Sequence, residues 1–397
     1  MSTAMSPSKG ATTSSSRAAQ SKSIKSIDNL GSFALITNNC IGPAMLGIPR
    51  LFQQAGIIPV LLSIAFMFMV ATLGGTLFAD TIASIPGNSS FSKNLSFSSA
   101  FRIIIGEEVY ILAETLFLIT CGVQAIAAIV AAAQSIDGLL ASLLLGRTYA
   151  LTLLPTFELI VWYPDLCHAN PARGQLVSAS SEAAQCTPFH GDGTMLITLG
   201  FVLTTLLFLP LGRGLLKETI AVQVAAFGVM VVLLTQFTVE LVIRGFPVHV
   251  PLFGTQLSEL AGVVLFNYAF IVAVPSWLAE KEAHVSVNAI LWSSSLVASL
   301  CYVLFGIMAS MSFQEIGVNA LVMLTSTKVL LSHYTHGSLP HSPPPHGSID
   351  QVHYLTRISA GLFGIMTIGS GVPVFSVIIR MALVRNRICS PERALFV

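Results

Sequence analysis

Long apolar runs recur along this chain, separated by short polar loops, and about 20 apolar residues are what a helix needs to cross a bilayer. The stretches 31–54, 57–79, 105–133, 194–211, 218–243, 259–279, 288–311 and 355–384 approach or exceed that length, which predicts about eight membrane-spanning helices. A further apolar stretch, 138–163, is interrupted by Gly146-Arg147, Pro155 and Glu158. It reads as an extension of the third span followed by a surface-lying segment, with a ninth crossing as the alternative.

Two of the spans are themselves broken. The first carries Cys40-Ile41-Gly42-Pro43-Ala44-Met45-Leu46-Gly47-Ile48-Pro49 and the sixth carries Phe270-Ile271-Val272-Ala273-Val274-Pro275-Ser276. An unpaired peptide group in hydrocarbon costs several kcal/mol, so a helix that serves only as a wall stays continuous. Breaks are tolerated where the freed backbone lines a polar cavity, and paired breaks in two halves of a chain mark the substrate and ion site of secondary transporters. The simpler alternative is a proline kink, with Asn38 and Asn39 bonded to neighbouring helices.

Composition agrees with the hydropathy pattern. The chain of 397 residues is 54% hydrophobic and 9% charged, against roughly 25% charged in an average soluble domain. A formal net charge of +1 offers nothing to nucleic acid or to an acidic partner; the lipid bilayer is the expected surrounding. Residues 1–28 are rich in Ser, Ala and Thr and have no apolar core before Leu30. They read as a disordered cytoplasmic tail rather than a cleavable signal peptide, followed by a transmembrane domain over 29–390 and a cytoplasmic end at 391–397.

Positive charge sets the orientation. With the N-terminus inside, the outer side receives Arg50, Arg147, Arg173, Arg244, Lys328 and Arg357, and the other Lys and Arg of the 19 fall on the cytoplasmic side. A ninth crossing at 138–163 would move the arginines after span eight to the outside, which argues against it. Cys167 and Cys186 then lie in an outer loop where a disulfide between them is one reading. Cys40, Cys121, Cys301 and Cys389 read as packing residues. The sequons at Asn88 and Asn94 fall on the cytoplasmic side, predicting that neither is glycosylated. An outer loop with His333, His336, His341 and His346 around Pro343-Pro344-Pro345 reads as functionally silent rather than metal-binding.

The residues around the breaks carry a resemblance. Asn38 followed by Gly42-Pro43-Ala44-Met45-Leu46-Gly47-Ile48-Pro49 and Ala55-Gly56 resembles the first span of the amino acid/auxin permease family, in the amino acid-polyamine-organocation superfamily. Asn267-Tyr268-Ala269-Phe270 leading to Glu280 resembles its sixth span, and Gly369-Ser370-Gly371-Val372-Pro373-Val374 ending in Arg380 resembles its eighth. The resemblance implies an all-α multi-pass membrane protein with a leucine-transporter-like inverted-repeat bundle, its second repeat cut short because the chain stops after span eight. It also implies secondary transport of an amino acid by alternating access, as a proton- or sodium-coupled symporter in a plasma, vacuolar or lysosomal membrane.

By the same resemblance the substrate carboxylate meets Gly42, Pro43, Ala44, Met45 and Leu46, and its amine and side chain meet Asn267, Tyr268, Phe270 and Ile271. Ion coupling falls on Asn38, Ser370 and Thr367. The chain departs from sodium-coupled relatives before Val372, where Ser370 stands between two glycines, so a proton is as well supported as sodium. Glu114 and Glu240 are the deepest carboxylates, and both read more readily as paired or end-of-helix groups than as proton relays. No cofactor or metal is expected, and the spans lack the His, Cys, Asp and Glu clusters a membrane enzyme would need. A non-transporting amino-acid receptor or an inactive truncated transporter is the alternative function.

Overall fold

The computed structural model describes residues 26–93, 95–141, 147–154, 157–162, 195–214, 216–313, 316, 320–321 and 346–385. Among these, six helical segments are long and apolar enough to cross a membrane: Ile57–Ser84, Glu107–Leu139, Glu218–Arg244, Leu260–Glu280, Val287–Ser312 and Tyr354–Val384. The chain is a mostly helical, multi-pass protein of the kind that integrates into membranes. Its outward faces are apolar: on Ile57–Ser84, Leu62 and Phe66 are both 66% exposed and Leu77 is 64% exposed. In water such a surface would drive aggregation, whereas lipid satisfies it.

The elements in chain order are α1 (Asn29–Cys40), a 3-10 turn (Pro43–Gly47), α2 (Ile48–Ala55), α3 (Ile57–Ser84), α4 (Phe97–Ile104) and α5 (Glu107–Leu139). Strands β1 (Thr148–Leu154), β2 (Glu158–Trp162) and β3 (Met195–Thr198) follow. Then come α6 (Leu199–Gly212), α7 (Leu216–Arg244), α8 (Leu260–Asn267), a 3-10 turn (Ala269–Ala273), α9 (Val274–Glu280) and α10 (Val287–Ser312). Last are α11 (His346–Leu362), a π-helical turn (Phe363–Ile368) and α12 (Gly371–Arg385).

Two expectations are corrected here. The fold is not all-α: β1 pairs antiparallel with both β2 and β3 in a sheet of order β2-β1-β3. The segment expected to lie along the surface after span three is therefore largely a hairpin, with Thr148 opposite Trp162 and Thr152 opposite Glu158. Thr148, Ala150 and Thr152 are buried while Tyr149, Leu151 and Leu153 are half-buried, the period-two pattern of a strand with one packed face. The fourth span is also shorter than expected. Its first residues form β3 and only 14 remain helical, about 20 Å at 1.5 Å per residue.

Asp137 explains where α6 begins. Its Oδ1 accepts from the Thr148 hydroxyl at 2.6 Å and from the Gly200 amide at 2.8 Å, tying the end of α5 to β1 and to the first turn of α6. The Thr198 hydroxyl accepts from the Phe201 amide at 3.1 Å and caps the same helix. Gly200 sits so close to α5 that an added Cβ would lie 2.3 Å from the Ala133 carbonyl oxygen. The register of α6 against α5 is set at this contact.

Candidate functional site

Both sequence breaks are real breaks. In the first span the helix ends at Cys40, where the Ile41 amide makes a last bond to Thr37 O at 2.9 Å. Pro43 has no N–H to continue the ladder, so the chain tightens into a 3-10 turn before α2. In the sixth span α8 ends at Asn267 and the chain turns through Ala269–Ala273 before Pro275 starts α9 within its first turn.

The two broken spans lie side by side and are tied at both ends. At one end Ile27 forms a parallel bridge to Lys281, with Ser26 N and Ile27 N donating to Glu280 O at 2.9 and 3.2 Å and Glu282 N donating to Ile27 O at 2.9 Å. At the other end Arg50 Nη2 lies 3.2 Å from Glu259 Oε1. The start of span one thus meets the end of span six, and the reverse, so the spans run antiparallel. Their packing is reciprocal: α8 rests on the turn of span one, and α1 rests on the turn of span six.

Between the breaks stands Tyr302 of α10, which is fully buried. Its hydroxyl donates to the carbonyl of Cys40 and lies 3.4 Å from that of Asn267, the last helical residues before each break. Tyr268 packs edge-on to it with ring centroids 5.8 Å apart, and the Tyr268 hydroxyl pairs with Ser299 Oγ at 2.5 Å. A local signal for these residues exists in the sequence: Ser295, Ser299 and Tyr302 share one face of an apolar helix.

Each asparagine at the breaks donates through its amide nitrogen, two to their own helices and Asn38 to a neighbouring one. Asn39 Nδ2 donates to Leu35 O at 2.7 Å, Asn267 Nδ2 to Val263 O at 3.0 Å, and Asn38 Nδ2 to Gln223 O at 2.8 Å and to Gln223 Oε1 at 2.9 Å. A carbonyl only accepts, so these bonds fix which amide atom is nitrogen. Each Oδ1 is left buried without a partner. Orphaned buried acceptors are uncommon, and here three of them belong to residues flanking the two breaks. They offer unsatisfied lone pairs to a donor-rich group such as an ammonium.

Gln223 gathers the residues expected to couple an ion. Besides receiving Asn38, its Nε2 donates to Ser370 O at 2.7 Å, and Ser370 Oγ donates to Thr367 O at 3.0 Å. The network joins span one, α7 and the π-helical turn of span eight. The Thr367 hydroxyl is buried with no partner. The junction is not legible in the sequence, because nothing local to α7 specifies which helix the Gln223 amide meets.

The residues expected around the substrate divide by neighbour. Gly42, Pro43 and Ala44 are half-buried while Met45 and Leu46 are buried. Gly42 faces space: an added Cβ would find only Cys40 O, at 4.0 Å. Amides at this break are partly committed, Gly42 N to Cys40 O at 2.8 Å and Met45 N to Gly42 O at 3.1 Å. Asn267 and Tyr268 belong to the cluster around Tyr302. Phe270 and Ile271 pack instead on α3, where Cβ atoms built on Gly75 and Gly74 would lie 3.7 Å from their side chains. At the break of span six the Gln124 amide of α5 donates to Phe266 O of α8 at 3.0 Å, so α5 holds that span next to its turn.

Both deep carboxylates have partners. Glu240 Oε1 lies 2.8 Å from Arg244 Nε, each side chain only 5% exposed, and Glu114 accepts from the Ser98 hydroxyl. Asn88 is buried, its amide donating to Ile82 O at 3.0 Å. Cys40, Cys121 and Cys301 are free thiols. Cys167, Cys186, Cys389, Asn94 and the histidines between 333 and 341 lie outside the described residues. Compared with known protein families and with curated proteins, the chain matches none.

Proposed function

We propose that this protein is a secondary transporter of an amino acid, which binds where spans one and six are broken. The observation that carries the reading is the meeting of the two breaks across Tyr302, with the unpartnered oxygens of Asn38, Asn39 and Asn267 around them. A zwitterion supplies what such a place lacks: an ammonium donates to several acceptors at once, and its charge is stabilised by carbonyl and amide dipoles. The carboxylate is assigned to the side of Gly42 and Ala44, where the backbone is least covered and the turn begins.

The way the spans are tied supports alternating access as the mode of transport. A broken span has two half-helices that can tilt separately, and the end-ties at Ile27/Lys281 and Arg50/Glu259 give each side of the site its own closure. Coupling to a proton or sodium is assigned to Asn38, Ser370 and Thr367, which Gln223 already joins. The coarse location is a membrane; a plasma, vacuolar or lysosomal membrane is the finer proposal.

The test is uptake by purified protein in proteoliposomes, with the 20 labelled amino acids supplied singly under an imposed proton or sodium gradient. Accumulation of at least one, abolished when both gradients are removed, supports the reading. Binding without accumulation would mark the protein as a receptor instead.

A further inference from the structure

We propose that Asp137 is a proton-binding site, and that the proton it holds strengthens the docking of α6 and β1 on the end of α5. Among the buried carboxylates it alone has no exposure, against 7% for Glu114, 4% for Glu240 and 9% for Glu280. Its two oxygens have unlike surroundings. Oδ1 accepts from both the Thr148 hydroxyl and the Gly200 amide, whereas Oδ2 is enclosed with no partner. The oxygens of a carboxylate are equivalent acceptors, while in the neutral acid one oxygen accepts and the other carries the hydrogen. The observed division is that of the acid, with the proton on Oδ2.

A proton fits where a larger cation does not. A Cβ built on Gly200 would lie 2.5 Å from Asp137 Oδ2 and 2.3 Å from Ala133 O, so Gly200 packs directly over both oxygens, and Oδ2 has no surface open to a water or an ion. Ala133 precedes Asp137 by four residues. At that spacing side-chain hydroxyls of this protein reach back along their helices, Ser135 Oγ donating to Ala131 O at 2.8 Å and Thr204 Oγ1 to Gly200 O at 2.7 Å. The Ala133 carbonyl is the acceptor for a proton on Oδ2. An ionised Asp137 would instead leave a charge unpaired in the interior, a cost that proteins avoid by neutralising the group.

Among the described residues, the elements packed around Asp137 supply no cation to pair with it. β3 and α6 contain no titratable side chain, and β1 brings only Tyr149, on the strand face opposite Thr148 and beneath the Arg147 guanidinium at 5.4 Å. The turns of spans one and six, which also touch α5, contain none. Arg102 of α4 pairs with Glu107 at the other end of α5, where Glu114 accepts from Ser98. α11, which carries Arg357, and the π-helical turn meet α5 through Gly361 on Leu139 and Gly364 on Ser135, the face away from Asp137. On α12, Arg380 is bonded to the Gly212 and Arg213 carbonyls beyond the far end of α6.

The site lies at the water-facing end of its span. α5 has 33 residues, about 50 Å at 1.5 Å per residue against about 30 Å of hydrocarbon, and Asp137 stands two residues before its end, beside strand edges that hydrocarbon does not hold. When α6 separates from α5, water reaches the carboxyl, the proton leaves Oδ2 for water, and a solvated carboxylate remains. The docked state thus binds one proton more than the separated one, so docking is strongest at low pH and weakens as pH rises. Asn38, Ser370 and Thr367 have no group that titrates near neutrality, whereas this carboxyl can exchange a proton with water as α6 moves.

The experiment uses the full chain in lipid nanodiscs, followed by infrared difference spectroscopy and amide hydrogen exchange between about pH 5 and about pH 8, above the ordinary titration of an aspartate. The expected result is a protonated-carboxyl C=O band that Asp137→Asn removes, and protection of the Gly200 amide, corrected for intrinsic exchange, that falls by up to about tenfold per pH unit. Asp137→Asn keeps the acceptor and the donor of the neutral acid, so its protection is expected to stay high and not to vary with pH. Absence of a band that depends on Asp137, or protection at Gly200 with the same pH dependence in both proteins, overturns the proposal. Since neither readout is uptake, this result and the transport assay fail independently.

Discussion

The Tyr302 hydroxyl donates to the carbonyl of Cys40, so a residue of an unbroken helix closes the end of a broken one. The same oxygen lies 3.4 Å from the Asn267 carbonyl, which places one side chain at both breaks. Removing the hydroxyl leaves a buried carbonyl unpaired, and such a group costs about 1–3 kcal/mol. Tyr302→Phe is expected to lower the thermal midpoint of the purified protein accordingly. An unchanged midpoint would mean that the two carbonyls do not depend on this donor.

The ion pair of Glu240 and Arg244 yields an asymmetric prediction. Both groups are nearly buried, and Arg244 Nη1 and Nη2 have no hydrogen-bond partner. Glu240→Gln strands the guanidinium and is expected to cost about 3–5 kcal/mol, whereas replacing both residues by apolar ones of similar volume is expected to cost far less. Denaturation of the single and double variants in the same detergent measures the difference; equal losses would contradict it.

Close packing at Gly200 yields a third. A Cβ there meets backbone, the Ala133 carbonyl at 2.3 Å, which a rotamer change cannot relieve. Gly200→Ala is expected to destabilise by about 1–3 kcal/mol or more. Gly122→Ala and Gly228→Ala, where no atom lies within 4 Å, are expected to be neutral or slightly stabilising because alanine favours helix. Melting curves of the three variants, compared in one lipid, check the contrast.

Much of this was legible along the chain, for identifiable reasons. Spans show themselves through apolar length, and Ile57–Ser84 and Val287–Ser312 lie where hydropathy puts them. The break at Pro43 is visible because proline removes an N–H wherever it stands. The sheet was less so: Thr148–Leu154 alternates, but its partner β3 comes more than 40 residues later, at Met195–Thr198, and was absorbed into an apolar span. The π-helical turn at Phe363–Ile368 had no local sign either, although Gly364 lies so close to Ser135 that no side chain fits between them. Within the site, the asparagines and the break residues could be named from their types. Tyr302 showed only as one of several polar groups on a face of α10, and Gln223, like Asp137 outside the site, could not be named, because their roles depend on which distant helix each one meets.

Substitution at Gly42 tests the central claim most directly. The residue has ordinary φ and open space before it, so a larger side chain occupies that space without forcing the backbone. In proteoliposomes Gly42→Leu is expected to reduce gradient-driven amino-acid uptake by at least about tenfold, equivalent to roughly 1.4 kcal/mol, while the thermal midpoint stays near that of the unaltered protein. Uptake that persists at its original rate in a folded Gly42→Leu protein would contradict the assignment of the substrate site to the two breaks.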